Sequence, residues 1–172
     1  MANFTIKLVD HTSNSPDRLK SLIQTSIQGL FRDVFATSSD NATVSWGASA
    51  TNDDLILHFV ENIASSYIAQ KLPGSPIQAI DGGFTRPQGN VTGSEFYKLA
   101  HFDDGDHQVK ATAMARLAFH EGMHNKTGWS NAKLHGPDGG GGLAGSPPHI
   151  PVTEKNKAIM QKAFQTKNAQ LQ

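Results

Sequence analysis

The sequence predicts one α/β domain of the mixed, α+β kind: a twisted mixed sheet with an early helix, a second long helix and a C-terminal helix. Three observations predict it. Apolar residues alternate through "NFTIKLV" and switch to helical spacing from residue 15 onward. A second helical run covers roughly His107 to Thr127 and meets a glycine, Gly128, where a helix would end. A third opens at Thr153, after a stretch crowded with glycine and proline. At 172 residues the chain is long enough for one proper core and too short for two comfortable ones, so residues 1–172 read as a single domain.

Phe4, Ile6 and Leu8 share one face of the first strand. In the following helix Ser15 is expected as the N-cap and Pro16 as the first helical residue, with Leu19, Leu22, Ile23, Ile27, Leu30 and Phe31 as the buried stripe. Two β-rich runs follow, "ATVSW" and "DLILHFV", whereas "NIASSYIAQKLPG" reads equally as helix or loop. "PIQAI" and "SEFYKLAHF" are expected strands on either side of the turn-rich "DGGFTRPQGN". Asp104 or Asp106 is available to cap the second long helix. The segment "WSNAKLHGPDGGGGLAGSPPHIP" is expected to be irregular. In the last helix Ile159, Met160, Ala163 and Phe164 form the apolar face, and Lys155, Lys157, Lys162 and Lys167 look largely outward.

Formal net charge is zero and the pI is about 7.1, which leaves no basic footprint for nucleic acid or an anionic membrane. No apolar run approaches the ~20 residues that span a bilayer, and the first residues lack the pattern of a signal peptide. The expectation is therefore a soluble, leaderless chain, either cytoplasmic or exported by a non-classical route. The absence of cysteine excludes disulfides, thiolate metal sites and thiol nucleophiles. Asn3, Asn41, Asn90 and Asn125 each head a glycosylation sequon, a short pattern that often arises by accident.

The chemistry concentrates in "ARLAFHEGMHNKTGW". Residues four apart on a helix project from one face, so His120 and His124 can bring two imidazoles to one ion. Glu121 lies near the same ion without having to coordinate it. This is the HExxH arrangement, in which the glutamate acts as general base toward water on the metal and zinc is the expected ion. An ordinary amphipathic helix with polar decoration is the competing reading. With eight histidines and four glutamates in the chain, chance placement yields HExxH only about 0.01 times. Three residues could complete the coordination. The six residues between Gly128 and His135 can span ~20 Å when extended, ample for His135 to return past the helix end. Glu154 already has a favourable role in a helical first turn, and His149 sits in the proline-flanked "PPHIP". The expected ligand set is His120, His124 and His135, with Glu121 catalytic.

His120, Glu121 and His124 resemble the signature of the zincin metallopeptidases, and the order of elements is similar to the metzincin branch. That resemblance implies a zincin-like fold, a zinc cofactor and hydrolysis of a peptide or protein substrate laid along a sheet edge, with "SEFYKLAHF" as the candidate strand. Metzincins read HExxHxxGxxH. Here Thr127 and Ser130 occupy the glycine and third-histidine positions, while Gly128 and His135 follow later, so a longer loop must return the chain. A divergent zincin similar to bacterial effector-type metallopeptidases is the implied placement, with narrow specificity or a protein inhibitor as restraint. Two other readings stay open: a zinc hydrolase of a non-protein substrate, and a non-catalytic, metal-stabilised binding domain. Asp138 could fix the tautomer of a ligand histidine, although "PDGG" also suits a turn. Tyr67 or Tyr97 could steady an oxyanion. "HFDDGDH" reads as a turn and cap in preference to a second metal site.

Overall fold

The structure, a computed structural model, describes residues 1–12, 15–48, 53–60, 83–85, 94–97, 107–139 and 151–166. The alternating start forms β1 (Asn3–Asp10), in which Phe4, Ile6 and Leu8 are buried, as period-two spacing requires. The chain then turns into α1 (Asp17–Val34), whose Leu19, Ile23, Ile27, Phe31 and Val34 recur at the spacing of one helical face. Pro16 is the N-cap here, one residue later than expected. Ser15 lies outside the helix, its Oγ 2.6 Å from Thr12 Oγ1.

Among the described residues, strands β2 (Asn41–Trp46), β3 (Leu55–Val60), β4 (Gly83–Thr85) and β5 (Ser94–Tyr97) join β1 in a five-stranded sheet of order β2-β1-β3-β5-β4. Four strands run parallel, and β4 pairs antiparallel with β5, which makes the sheet mixed. All six residues of β3 are buried, as befits an unbroken apolar run near the middle of a parallel sheet. β4 was not foreseen, because its three residues fall inside the turn-rich stretch. Its presence corrects a second expectation: β5, taken as a candidate sheet edge, has β3 on one side and β4 on the other. The expected strand "PIQAI" and the ambiguous "NIASSYIAQKLPG" lie outside the described residues, as do Asp104 and Asp106.

The second long helix, α2 (His107–Thr127), is the centre of the molecule. It packs against α1, the sheet and α4 (Glu154–Gln165). Small residues allow this close surround: Ala111, Ala113, Ala115 and Ala118 are all buried, together with Met114, Leu117, Phe119 and Met123. Phe31 of α1 joins Phe119 of α2 (ring centroids 5.6 Å apart) to Phe164 of α4 (5.7 Å), and Phe4 of β1 meets Phe164 at 5.1 Å. Removing such a fully buried ring costs about 3–5 kcal/mol, so this aromatic chain fixes how the three helices sit over the sheet. On α2 Gly122 allows a close approach: a Cβ there would lie 3.1 Å from Leu55 Cδ2 of β3 and 3.5 Å from Met160 Cε of α4.

The expectation of an irregular segment after Gly128 is corrected in its first half. Ser130 caps a one-turn helix, α3 (Asn131–Leu134), its side chain accepting from the Lys133 N–H, and a 3₁₀ turn follows at Pro137–Gly139. On α4 the buried residues are Asn156, Met160, Ala163 and Phe164, with Ile159 partly buried. Lys155 and Lys162 face outward, but Lys157 is half-buried and reaches Asp33 of α1 at 3.8 Å. Among the described residues, no helix is long and apolar enough to cross a membrane.

Candidate metal centre

The last two turns of α2 carry His120, Glu121 and His124, and local backbone chemistry brings His135 to them. Gly128, at φ 68°, takes the left-handed conformation that ends a helix, and its N–H donates to the His124 carbonyl (2.9 Å). The Thr127 hydroxyl donates to the Met123 carbonyl (2.6 Å) and accepts from the Trp129 N–H (3.2 Å), which sets the direction of the departing chain. α3 then returns it. Leu134, fully buried, anchors the end of α3, and His135 follows as its C-cap with its N–H on the Asn131 carbonyl (2.9 Å).

The result is a triangle of Nε2 atoms: His120 to His135 at 3.1 Å, His120 to His124 at 3.2 Å and His124 to His135 at 3.4 Å. Four-coordinate zinc with Zn–N bonds of ~2.0–2.1 Å places its ligand nitrogens about 3.3 Å apart. The three atoms thus match one face of such a tetrahedron.

Protons alone cannot satisfy this triangle. The Nδ1–H of His124 donates to the Trp129 carbonyl oxygen (2.8 Å), which leaves its Nε2 as a bare lone pair. In a neutral imidazole each Nε2 is either a donor or an acceptor, so three atoms in mutual contact must include at least one like pair. Charging the rings is disfavoured as well. Burial, followed by the nearness of His124 and His135, pushes the His120 pKa down to about 3. Burial also lowers His124, against the raising effect of the Trp129 carbonyl, and lowers His135. Three neutral rings with converging lone pairs are what a metal ligand set requires. These three histidines are close enough to bind one ion, and they are the only such group among the described residues.

Glu121 is buried, and its Oε1 lies 4.0 Å from His120 Nε2. It stands beside the triangle and is not one of its converging ligand atoms. Glu154 is elsewhere: its side chain is 89% exposed in the first turn of α4 and pairs with Lys157 at 2.7 Å. Asp138 is exposed in the 3₁₀ turn, and the orienting role considered for it is filled at His124 by the Trp129 carbonyl. That acceptor was invisible in the sequence, because a backbone oxygen has no residue signature. His149, Tyr67, most of the glycine tract and the acidic stretch 101–106 lie outside the described residues. Comparison with protein-family models and with curated proteins finds no match for the chain.

A second histidine contact was also missed. His11 Nε2 and His58 Nδ1 are 2.9 Å apart, with rings stacked at a centroid distance of 5.1 Å. His58 lies on β3, and His11 follows directly after β1. One signal was available in the sequence, since a histidine interrupting the apolar run "LILHFV" is a buried polar group in need of a partner.

Proposed function

We propose that the chain is a zinc-dependent peptidase, an endopeptidase of the zincin kind. The observation that carries the reading is the triangle of three Nε2 atoms with a buried carboxylate beside it. An all-nitrogen, three-ligand set that leaves a fourth position open is the donor arrangement of catalytic zinc. An ion there supplies Lewis acidity, polarising a carbonyl oxygen and lowering the pKa of water toward ~7.

The chain's own residues provide the rest. His120, His124 and His135 hold the ion, and the Trp129 carbonyl keeps His124 in the required tautomer. Glu121 takes the proton from the attacking water and returns it to the leaving amine nitrogen. The order of sheet, early helix, histidine-bearing helix, glycine turn, returning histidine and C-terminal helix supports the zincin reading. Among the described residues β4 is an outer strand of the sheet, and α2 packs across β4 and β5. Its outer edge is where an extended peptide would pair by its backbone, which favours a protein chain as substrate.

Purified protein is expected to hold about one zinc per chain and to cleave members of a panel of unfolded proteins, with cleavage abolished by a chelator and restored by zinc. Glu121→Gln should retain the zinc and lose ~10²- to 10⁴-fold in rate, the usual cost of removing a general base. Equal cleavage by Glu121→Gln and wild type would remove Glu121 from the mechanism. Stoichiometric zinc without hydrolysis of any panel member would favour a metal-stabilised binding domain or a non-protein substrate.

A further inference from the structure

We infer that Asn156 is a positioning residue for the metal centre, holding His135 in place from the N-terminus of α4. The inference rests on reading the histidine triangle as a metal site. Two of its three corners lie on one helix and are fixed to each other by the backbone of α2. The third arrives on a separate segment of only a short helix and a 3₁₀ turn, so its place depends on what restrains that segment.

Asn156 is fully buried although polar. Its Oδ1 accepts the Thr153 N–H (2.9 Å), and the Thr153 hydroxyl accepts the Asn156 N–H (3.2 Å), which together close a capping box. An amide whose oxygen is committed to an N–H must direct its NH₂ the other way. Here that group donates to the carbonyl of Gly139. The glutamate usual at this capping position would close the same box but bring no donor, so asparagine adds a second connection to an ordinary cap.

Gly139 passes the restraint on. A Cβ at Gly139 would overlap the backbone of Leu134, so these two segments are in direct contact and only glycine fits. Leu134 is the residue before His135. The path therefore runs from Asn156 to Gly139, to the Leu134 backbone and to the imidazole of His135. Lys155 adds a parallel connection, its Nζ donating to the Pro137 carbonyl (2.7 Å). Asn156 touches neither the ion position nor a substrate and acts only through His135.

The test compares three variants of the full chain for zinc affinity, by competition with a chromophoric chelator, and for the visible spectrum of the cobalt(II)-loaded protein. Asn156→Asp keeps the capping acceptor and loses the donor. It should weaken zinc binding by about 10-fold, the low end of the range for a group hydrogen-bonded directly to a ligand, because Asn156 reaches His135 only through Gly139 and Leu134, and it should shift the cobalt spectrum toward that of His135→Ala. Thr153→Ala loses the hydroxyl cap but leaves the Asn156 amide on Gly139. It should unfold more easily yet bind zinc as wild type does. A merely structural role for Asn156 would make affinity follow stability in both variants, and that result overturns the inference. Should Asn156→Asp fail to fold, Lys155→Met reads the same segment from an exposed position, where a smaller loss of affinity is expected and none would be contrary. Failure of wild type to bind zinc or cobalt overturns the metal site and the positioning role together. Wild-type binding that is lost in His120→Ala but retained in Asn156→Asp overturns the positioning role alone.

Discussion

Among the described residues two histidine clusters stand out, and they differ in the one respect that separates a hydrogen-bonded pair from a set able to hold a metal ion. In the pair, His11 Nε2 faces His58 Nδ1 at 2.9 Å, and one ring can donate while the other accepts. In the triangle, three Nε2 atoms face one another at 3.1–3.4 Å and no distribution of neutral tautomers satisfies every edge. Each includes a buried ring, His58 in the pair and His124 in the triangle, although His11 is exposed. His58 is pushed down to about 4 by burial and then by His11, much as His120 is pushed down to about 3. A low histidine pKa is therefore no mark of a metal centre by itself. The mark is an odd number of converging nitrogens, one of which, His124 Nε2, is left as an inward lone pair by the bond its Nδ1–H makes to the Trp129 carbonyl.

The largest expected effect breaks this comparison in two. His120→Ala, His124→Ala and His135→Ala should each reduce zinc affinity by more than about 10²-fold, beyond the loss usual for an outer-shell change. His58→Leu should leave zinc affinity within a few-fold of wild type, because its partner is a ring across β1 and β3 and not an ion. Chelator competition on all four proteins checks this. Equal losses in His58→Leu and His135→Ala would mean that the triangle has no special standing.

One side of this contrast, the grouping of His120, His124 and His135, could be read in the sequence, and the other was hidden for physical reasons. His120, Glu121 and His124 were legible because an i, i+4 spacing on a helix fixes their common face whatever surrounds it. His135 was legible only as a reach from Gly128, since the sequence gives chain length but not path. The return path through α3 was obscured by composition. Glycine and proline dominate residues 136 to 151, and they masked the serine cap at Ser130, which begins a regular turn before the glycines start. β4 was hidden by its length, as three residues carry no period. Its partner β5 was legible as a strand but not as an inner one, because strand order is a tertiary property. The pairing of His11 with His58 joins residues 47 apart in sequence and depends on the register of β1 against β3, which no local pattern encodes.

Acid should separate the clusters by a smaller amount. A histidine whose folded pKa lies below its unfolded value of 6.5 contributes no pH dependence above that value. As pH falls, the unfolded chain takes up protons that the folded one refuses, and stability declines until the folded pKa is reached. For His58 that window runs from 6.5 to about 4 and corresponds to roughly 3 kcal/mol. Urea melts of the metal-free protein between pH 7.5 and 4 should show the decline, and His58→Leu should flatten part of it. Added zinc should raise stability near neutrality by mass action, and the increment should vanish in acid as protons compete for the triangle. The increment should be equal in wild type and His58→Leu. A zinc increment that disappears with His58 would show that the two clusters titrate as one.

The smallest effect tests whether the clusters are coupled through the packing between them. Gly122 lies between His120 and His124 in sequence, and it seats α2 on Leu55 and Leu57 of β3, the strand that carries His58. Gly122→Ala gains helix propensity of about 0.8–1.0 kcal/mol. Against this, the new Cβ would lie 3.1 Å from Leu55 Cδ2 and 3.5 Å from Met160 Cε. Both are side-chain methyl ends. Methionine yields readily, but Leu55 is almost wholly buried and must move off its preferred rotamer, at about 0.5–1.5 kcal/mol. The two terms nearly cancel, so stability should change by less than ~1 kcal/mol in either direction. Zinc affinity is the sharper readout. His120 and His124 would ride on α2 together, whereas His135 is held from α4, so lifting the helix by a few tenths of an ångström would open the triangle on that side alone. If Leu55 and Met160 absorb the methyl, zinc affinity should match wild type. A loss of more than about tenfold with stability intact would show that the seating of α2 on β3 sets the geometry of the triangle, and that the two clusters are linked through it.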